Sequence, residues 1–202
     1  MSAYKSFAVV GGGLVGLPVV RALVAKKVSV VLLSRPESSA KNVPPGVQVE
    51  KVDYNNVAAT AAIFRKHKVD VVLSTVATTA AGTLTSLVDA AKLAEIKLFV
   101  PSEYGLPTDG QTEGALGDKN KLAAYLKDVG VPSTRIFTGM FIEFIPWISG
   151  YTDNGKITIV GNGEAPLSCT AVEDIAGIEE EYTSASTSTL TSFKLQNSLH
   201  TY

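Results

Sequence analysis

The sequence predicts an α/β protein built on a doubly wound parallel sheet, and three observations carry that prediction. Short apolar runs rich in Val, Ile and Leu alternate with segments whose apolar residues recur at helical spacing. The first run opens directly into a glycine-rich turn, Gly11-Gly12-Gly13-Leu14-Val15-Gly16. The 202 residues are 46% hydrophobic and only 18% charged, enough to bury a sizeable core within one domain.

The elements follow in order. Phe7 to Val10 is a β-branched strand. After Gly16, the residues Val19, Val20, Leu23 and Val24 mark a helix that tolerates Pro18 in its first turns and ends at Lys26-Lys27, cations suited to a helix C-terminus. Val28 to Leu33 is the next strand, Val47 to Val52 alternates like another, and Asn56 to His67 reads as a helix. Val69 to Leu73 is a buried strand, Thr83 to Glu95 a helix, and Ile96 to Val100 a strand stopped by Pro101. Leu116 to Val129 is amphipathic with Gly130 at its C-terminus, and Thr134 to Phe137 is a further strand. Beyond it, Lys156 to Val160 reads as a strand between Gly-Asn punctuation, and Phe193 to Leu195 as one short strand.

The glycines form G-x-G-x-x-G at Gly11, Gly13 and Gly16 between a strand and a helix. The first permits the tight turn, the second lets Leu14 and Val15 bring backbone N–H groups to a pyrophosphate, and the third lets helix and strand pack closely. The spacing points to an NAD(P)-binding Rossmann fold. At the end of the second strand an NAD site usually carries Asp or Glu for the ribose 2′-hydroxyl, but this chain has Ser34-Arg35. A guanidinium donates to a 2′-phosphate and accepts nothing, so NADP is the expected cofactor, with a solvated loop arginine as the alternative. Lys41 is a weaker second candidate for the phosphate.

In such sheets ligands bind beyond the carboxyl ends of the strands, so the following loops hold the remaining candidates. Asp53-Tyr54 either brackets an adenine or simply opens the next helix. Ser74-Thr75-Val76-Ala77 has the small side chains that let a cofactor approach, Thr75 foremost; tight helix-sheet packing would use the same residues.

Other chemistries lack their residues. Lys and Arg total 18 against 19 Asp and Glu, dispersed along the chain, so no electrostatic footprint for nucleic acid exists. No apolar run reaches the length of a membrane span and Met1 to Phe7 has no signal-peptide character. One cysteine, Cys169, cannot form an intramolecular disulfide, which suits a cytoplasmic location. With two histidines, His67 and His200, no zinc site of Cys/His type is expected, and His67 reads as a surface residue.

Phe99-Val100-Pro101-Ser102-Glu103-Tyr104-Gly105 resembles the F-V-P-S-E-[FY]-G segment of the isoflavone reductase-like, or NmrA-like, branch of atypical short-chain dehydrogenases. Lys119-Asn120-Lys121-Leu122 followed by Gly130-Val131-Pro132-Ser133-Thr134 is similar to that family's lysine helix and its G-[IV]-P-x-T exit. Val172 to Ala176 resembles its D-I-A helix, and the resemblance covers about residues 5 to 178. The glycine loop departs from the family's G-x-x-G-x-x-G, because Val10 stands at the first glycine. The resemblance implies an NADPH-dependent reductase of a small aromatic molecule, with Lys119 both at the cofactor and catalytic, and Lys121 solvated. It places Tyr104, Met140 and Phe141, with Phe144 beside them, at the substrate pocket, although aromatic residues at such spacing also build cores. The Tyr-x-x-x-Lys pair of other short-chain dehydrogenases is absent, since Ala115 stands four residues before Lys119.

The family continues further than this chain does. Residues 1–178 are expected to form the NAD(P)-binding domain, and 179–202 an atypical tail: Thr183 to Ser192 is Ser or Thr at all but Ala185 and Leu190. The resemblance therefore implies a reduced C-terminal substrate lobe, whose bare face would favour a homo-oligomer. It also leaves a second functional class open, an NmrA-like NADP-sensing regulatory protein without turnover.

Overall fold

The computed structural model describes residues 4–39, 41–76, 81–158, 161–162, 168–177 and 192–194. Five parallel strands form one sheet: β1 (Ser6–Val10), β2 (Ser29–Ser34), β3 (Gln48–Lys51), β4 (Val71–Ser74) and β5 (Leu98–Val100), in the order β3-β2-β1-β4-β5. The intervening helices are α1 (Gly16–Ala25), α2 (Val57–Lys66) and α3 (Ala81–Leu93), with α4 (Gly114–Asp128) after β5. Beyond β5 the sheet direction continues through a parallel bridge between Phe99 and Ser133. There the Phe99 N–H donates to the Pro132 carbonyl at 2.8 Å, leading into β6 (Arg135–Phe137). This is the doubly wound order that parallel strands with right-handed crossovers produce.

The two faces of the sheet explain why β1 reads as an unbroken apolar run. Ala8 and Val10 point to one side, where they pack with Val31, Leu33, Val72 and Phe99 beneath Phe64 of α2, Leu87 of α3 and Leu122 and Leu126 of α4. Phe7 and Val9 point to the other, with Leu32, Val71 and Leu73 under Val19, Val20 and Leu23 of α1 and Ile175 of a helix over 172–177. Burial on both faces removes the polar alternation an edge strand shows. β3 is such an edge, with Gln48, Glu50 and Lys51 along it.

Local chemistry sets the helix ends. Asn56 caps α2 by accepting the Ala59 N–H at 3.0 Å. At its other end Lys68 adopts φ 48° and the Val69 N–H returns to the Phe64 carbonyl, a closure repeated by Glu95 and Ile96 after α3 and by Gly130 and Val131 after α4. Only the last of these used a glycine, so only the last was visible beforehand. The closure after α3 also delays the strand expected from Ile96: Ile96 N–H is committed to Ala91, and β5 begins at Leu98.

Four features differ from expectation or were not anticipated. α4 starts at Gly114, before the predicted Leu116. His67 is not a surface residue: its side chain is 13% exposed and its Nε2 lies 2.7 Å from Glu50 Oε1, because the α2 terminus lands against β3. The strand expected over Lys156 to Val160 is irregular at 156–158, where the Thr158 N–H instead reaches back to the Ser149 carbonyl at 2.8 Å; 159–160 lie outside the described residues. Two small parallel pairings were not foreseen. β7 (Met140–Phe141) joins β8 (Cys169–Thr170), and β6 joins β9 (Ser192–Lys194), which overlaps the short strand expected at Phe193 to Leu195 within the tail. After β7 a single 3-10 turn (Ile142–Phe144) leads to α5 (Ile145–Ile148) and α6 (Tyr151–Asn154).

Candidate active site

A cleft of about 790 Å³ opens at the carboxyl ends of the strands. The turn after β1 supplies Gly11, Gly12, Gly13, Leu14 and Val15; the loop after β2 supplies Ser34, Arg35, Ser38 and Ser39. Tyr54 comes from beyond β3, Thr75 and Val76 from beyond β4, Ser102 and Tyr104 from beyond β5, and Thr83 from α3. Lys119 of α4 completes the lining together with Phe141 and Phe144. Of the expected site residues, Gly16, Lys41, Asp53, Ser74 and Met140 do not line it, and Ala77 lies outside the described residues.

Gly16 acts from beneath the turn. A Cβ there would stand 2.0 Å from the Gly11 carbonyl oxygen and 2.7 Å from Thr75 Oγ1, so only glycine lets α1 approach β1 this closely. Gly11 takes φ 103°, a conformation side chains disfavour. Gly13 by contrast faces open space. Thr75 ties the turn down by donating to the Val10 and Gly11 carbonyls, at 3.0 and 2.9 Å. α1 begins after Val15 without a side-chain cap; the Leu17 N–H donates to the Gly13 carbonyl at 3.2 Å and Pro18 has none, so the turn before Leu17 is what an anion would meet.

Tyr54 is 4% exposed and its hydroxyl donates to the Leu33 carbonyl at 3.0 Å; burial pushes its pKa up to about 12. It braces the end of β2 and offers no free stacking face. Asp53 accepts from the Asn55 backbone N–H at 3.0 Å, opening the turn into α2. Arg35 is 64% exposed and pairs with Glu37 at 3.2 Å. Behind that loop stands Lys51, which sequence reasoning missed: its Nζ donates to Ser34 Oγ at 3.2 Å, to the Arg35 carbonyl at 3.3 Å and to the Ser38 carbonyl.

Lys119 is half-buried and its Nζ donates to the main-chain carbonyl of Glu103. Burial lowers its pKa from the ordinary lysine value, and the Glu103 carboxylate pulls it partly back. Glu103 itself is 1% exposed, so burial raises its pKa against the opposing pull of Lys119, Arg135 and a hydrogen bond from Thr108. Thr108 Oγ1 donates to Glu103 Oε2 at 3.2 Å, and Arg135, 3.8 Å from Glu103 Oε1, also reaches Thr108 and Asp109. This buried cluster was not foreseen either; the only sequence signal was a glutamate within an apolar strand-end motif. Lys121, as expected, lies outside, exposed and paired with Asp118.

The far wall is aromatic. Phe141 and Phe144 meet with centroids 5.2 Å apart and planes tilted by 43°, and Phe144 meets Trp147 edge-on at 6.4 Å. Glu143 holds this wall to the following helix by accepting the Val172 N–H at 2.9 Å. Met140 is engaged in the pairing with Cys169 instead. Tyr104 lines the cleft and also packs on the core beneath it. The glycine turn, the uncapped helix end, the Arg35 loop and the half-buried lysine share one cleft, an arrangement that suits a dinucleotide. No helix of the described residues is long and apolar enough to cross a membrane.

The same architecture recurs in known structures. The chain superposes on leucoanthocyanidin reductase from Vitis vinifera, in a ternary complex, with a TM-score of 0.72 and 21% identity, over 87% of this chain and 62% of that one. It matches AtPrR2 with NADP+ and (+)pinoresinol at 0.78 and 18%, over 96% and 70%. A structure from work on pinoresinol-lariciresinol and phenylcoumaran benzylic ether reductases matches at 0.76 and 22%, over 90% and 66%. This chain thus spans about 62% of the length of the leucoanthocyanidin reductase it resembles. No curated protein sequence matches it. The fold is that of the Rossmann-type NAD(P)-binding reductases, and with residues 4–188 matching the family directly, the chain belongs to the NmrA-like family.

Proposed function

We propose that the protein is an NADPH-dependent reductase of a small aromatic molecule. The observation that carries this reading is the meeting, in one cleft, of the glycine turn, the Ser34-Arg35 loop, Lys119 and the Phe141-Phe144 wall. Gly11, Gly13, Leu14 and Val15 would seat the pyrophosphate, with Gly16 letting the helix close beneath them, Ser34 and Arg35 would take the adenosine 2′-phosphate, and Lys119 the nicotinamide end. Solved relatives in complex with NADPH and with NADP+ support this use of the cleft. When bound, the cofactor supplies a hydride.

The chain supplies positioning and a proton. Aromatic side chains exclude water and hold a flat substrate. Lys119, fixed by the Glu103 carbonyl and with its pKa lowered by burial, delivers a proton to the atom that gains negative charge. Thr75 and Tyr54 keep the turn and the end of β2 in place.

The test is NADPH oxidation with leucoanthocyanidins, pinoresinol and phenylcoumaran benzylic ethers. Turnover that Lys119→Ala abolishes, with NADPH affinity nearly unchanged, supports the reading; equal turnover by the variant removes Lys119 from the reaction. NADPH binding without turnover across the panel would instead favour a redox-sensing role. For that role the exposed apolar row Ile145, Trp147 and Ile148 offers a contact surface.

A further inference from the structure

The loop that would receive the adenosine 2′-phosphate is held by a lysine from the neighbouring strand. Lys51 closes β3, and the acceptors of its ammonium are Ser34 Oγ at the last residue of β2 and the Arg35 and Ser38 carbonyls of the loop that follows it. An ammonium has three protons, and these contacts occupy all three. Ser34, Arg35 and Ser38 line the cleft, whereas Lys51 stands behind them. No carboxylate among the described residues pairs with Lys51, so its charge is not cancelled locally. The Arg35 guanidinium, in contrast, is exposed and already engaged by Glu37.

A phosphate that carries close to two negative charges is discriminated from a hydroxyl by donors and charge held in place before it arrives. Arg35 alone is an exposed donor with an internal competitor. We propose that Lys51 is a positioning residue that sets the preference for NADPH over NADH, by clamping the Ser34-Ser38 loop and leaving an unneutralised charge behind it. The inference rests on the reading of the cleft as an NADPH site.

Calorimetric titration of the full chain with NADPH, NADH, 2′-AMP and 5′-AMP tests it. Lys51→Met is expected to weaken NADPH and 2′-AMP by about tenfold or more, and NADH and 5′-AMP by no more than about twofold. Lys51→Arg keeps the charge but cannot gather three convergent acceptors, and should fall between. Equal loss for all four ligands, or none, overturns the proposal. If Lys51→Met does not fold, an unchanged NADPH to NADH ratio in Lys51→Arg overturns it as well. A wild-type chain that ignores NADPH removes both this inference and the function it rests on; a wild-type preference that survives Lys51→Met removes this inference alone.

Discussion

The ammonium of Lys119 donates to the main-chain carbonyl of Glu103, whose own carboxylate is buried against Thr108 and Arg135. One residue thus fixes the lysine through its backbone and tunes it through its side chain. Burial lowers the Lys119 pKa and the Glu103 charge opposes that lowering. Proton delivery needs the charged lysine, so kcat/KM should fall as pH rises through the lowered value, earlier than for an ordinary lysine. Glu103→Gln removes the opposing charge and should move this alkaline fall to lower pH. A pH–rate profile that does not move would separate the titrating group from Lys119.

The glycine turn separates structural from ligand-binding demands. Gly16→Ala would press a methyl group against the Gly11 carbonyl and Thr75, and is expected to cost about 1–3 kcal/mol of stability along with nucleotide binding. Gly13→Ala meets no atom within 4 Å. It should melt near the wild-type temperature and yet lose the rise in Tm that NADPH gives the parent.

Arg35 pairs with Glu37 through its Nε, so the Glu37 carboxylate would compete with a phosphate for the guanidinium. Arg35→Ala should weaken NADPH by about 1–3 kcal/mol, the range of charge-assisted contacts, and leave NADH little changed. Glu37→Gln should tighten NADPH several-fold, and calorimetry at low salt would show it best. Weaker binding by Glu37→Gln would mean that the carboxylate orients the guanidinium.

Asp70 ties three strands together at the end opposite the cleft. It accepts the Lys5 and Ser6 N–H groups at 2.8 and 3.2 Å and the Lys97 ammonium at 2.7 Å. Burial disfavours its charge, but these donors outweigh it and the pKa is lowered. The group is charged at neutral pH in both states and its charge is better stabilised in the folded one, so its stabilisation is present above the unfolded carboxylate pKa and disappears as pH falls through the folded one. Asp70→Asn should cost about 1–3 kcal/mol at neutral pH by chemical denaturation, with the difference from wild type shrinking in acid.

The helices α1, α2 and α3 end on Lys27, Lys68 and Glu95 in left-handed conformations, at φ 61°, 48° and 56°. A side chain there costs roughly 1–2 kcal/mol, partly offset because glycine loses more freedom on folding. Glu95→Gly is expected to stabilise by about 0.5–1 kcal/mol and raise Tm. A lower Tm would show that the Glu95 side chain contributes more than its backbone costs.

What the sequence determined by itself was everything with a local cause. The unbroken apolar runs announced strands buried on both faces, Asn56 and Gly130 announced helix ends, and the glycine spacing with Ser34-Arg35 announced residues that line one cleft. Contacts between distant segments were decided only in the folded chain. Thr75 braces Gly11 from β4, Lys51 clamps Ser34 from β3, and Arg135 reaches Glu103 from β6. His67 left the surface when α2 met Glu50, and Lys156 to Thr158 found no neighbouring strand among the described residues. The physical reason is the same throughout. Periodicity and capping act over a few residues, so the sequence displays them. A hydrogen bond or ion pair across the sheet depends on strand order and register, which only the packed core establishes.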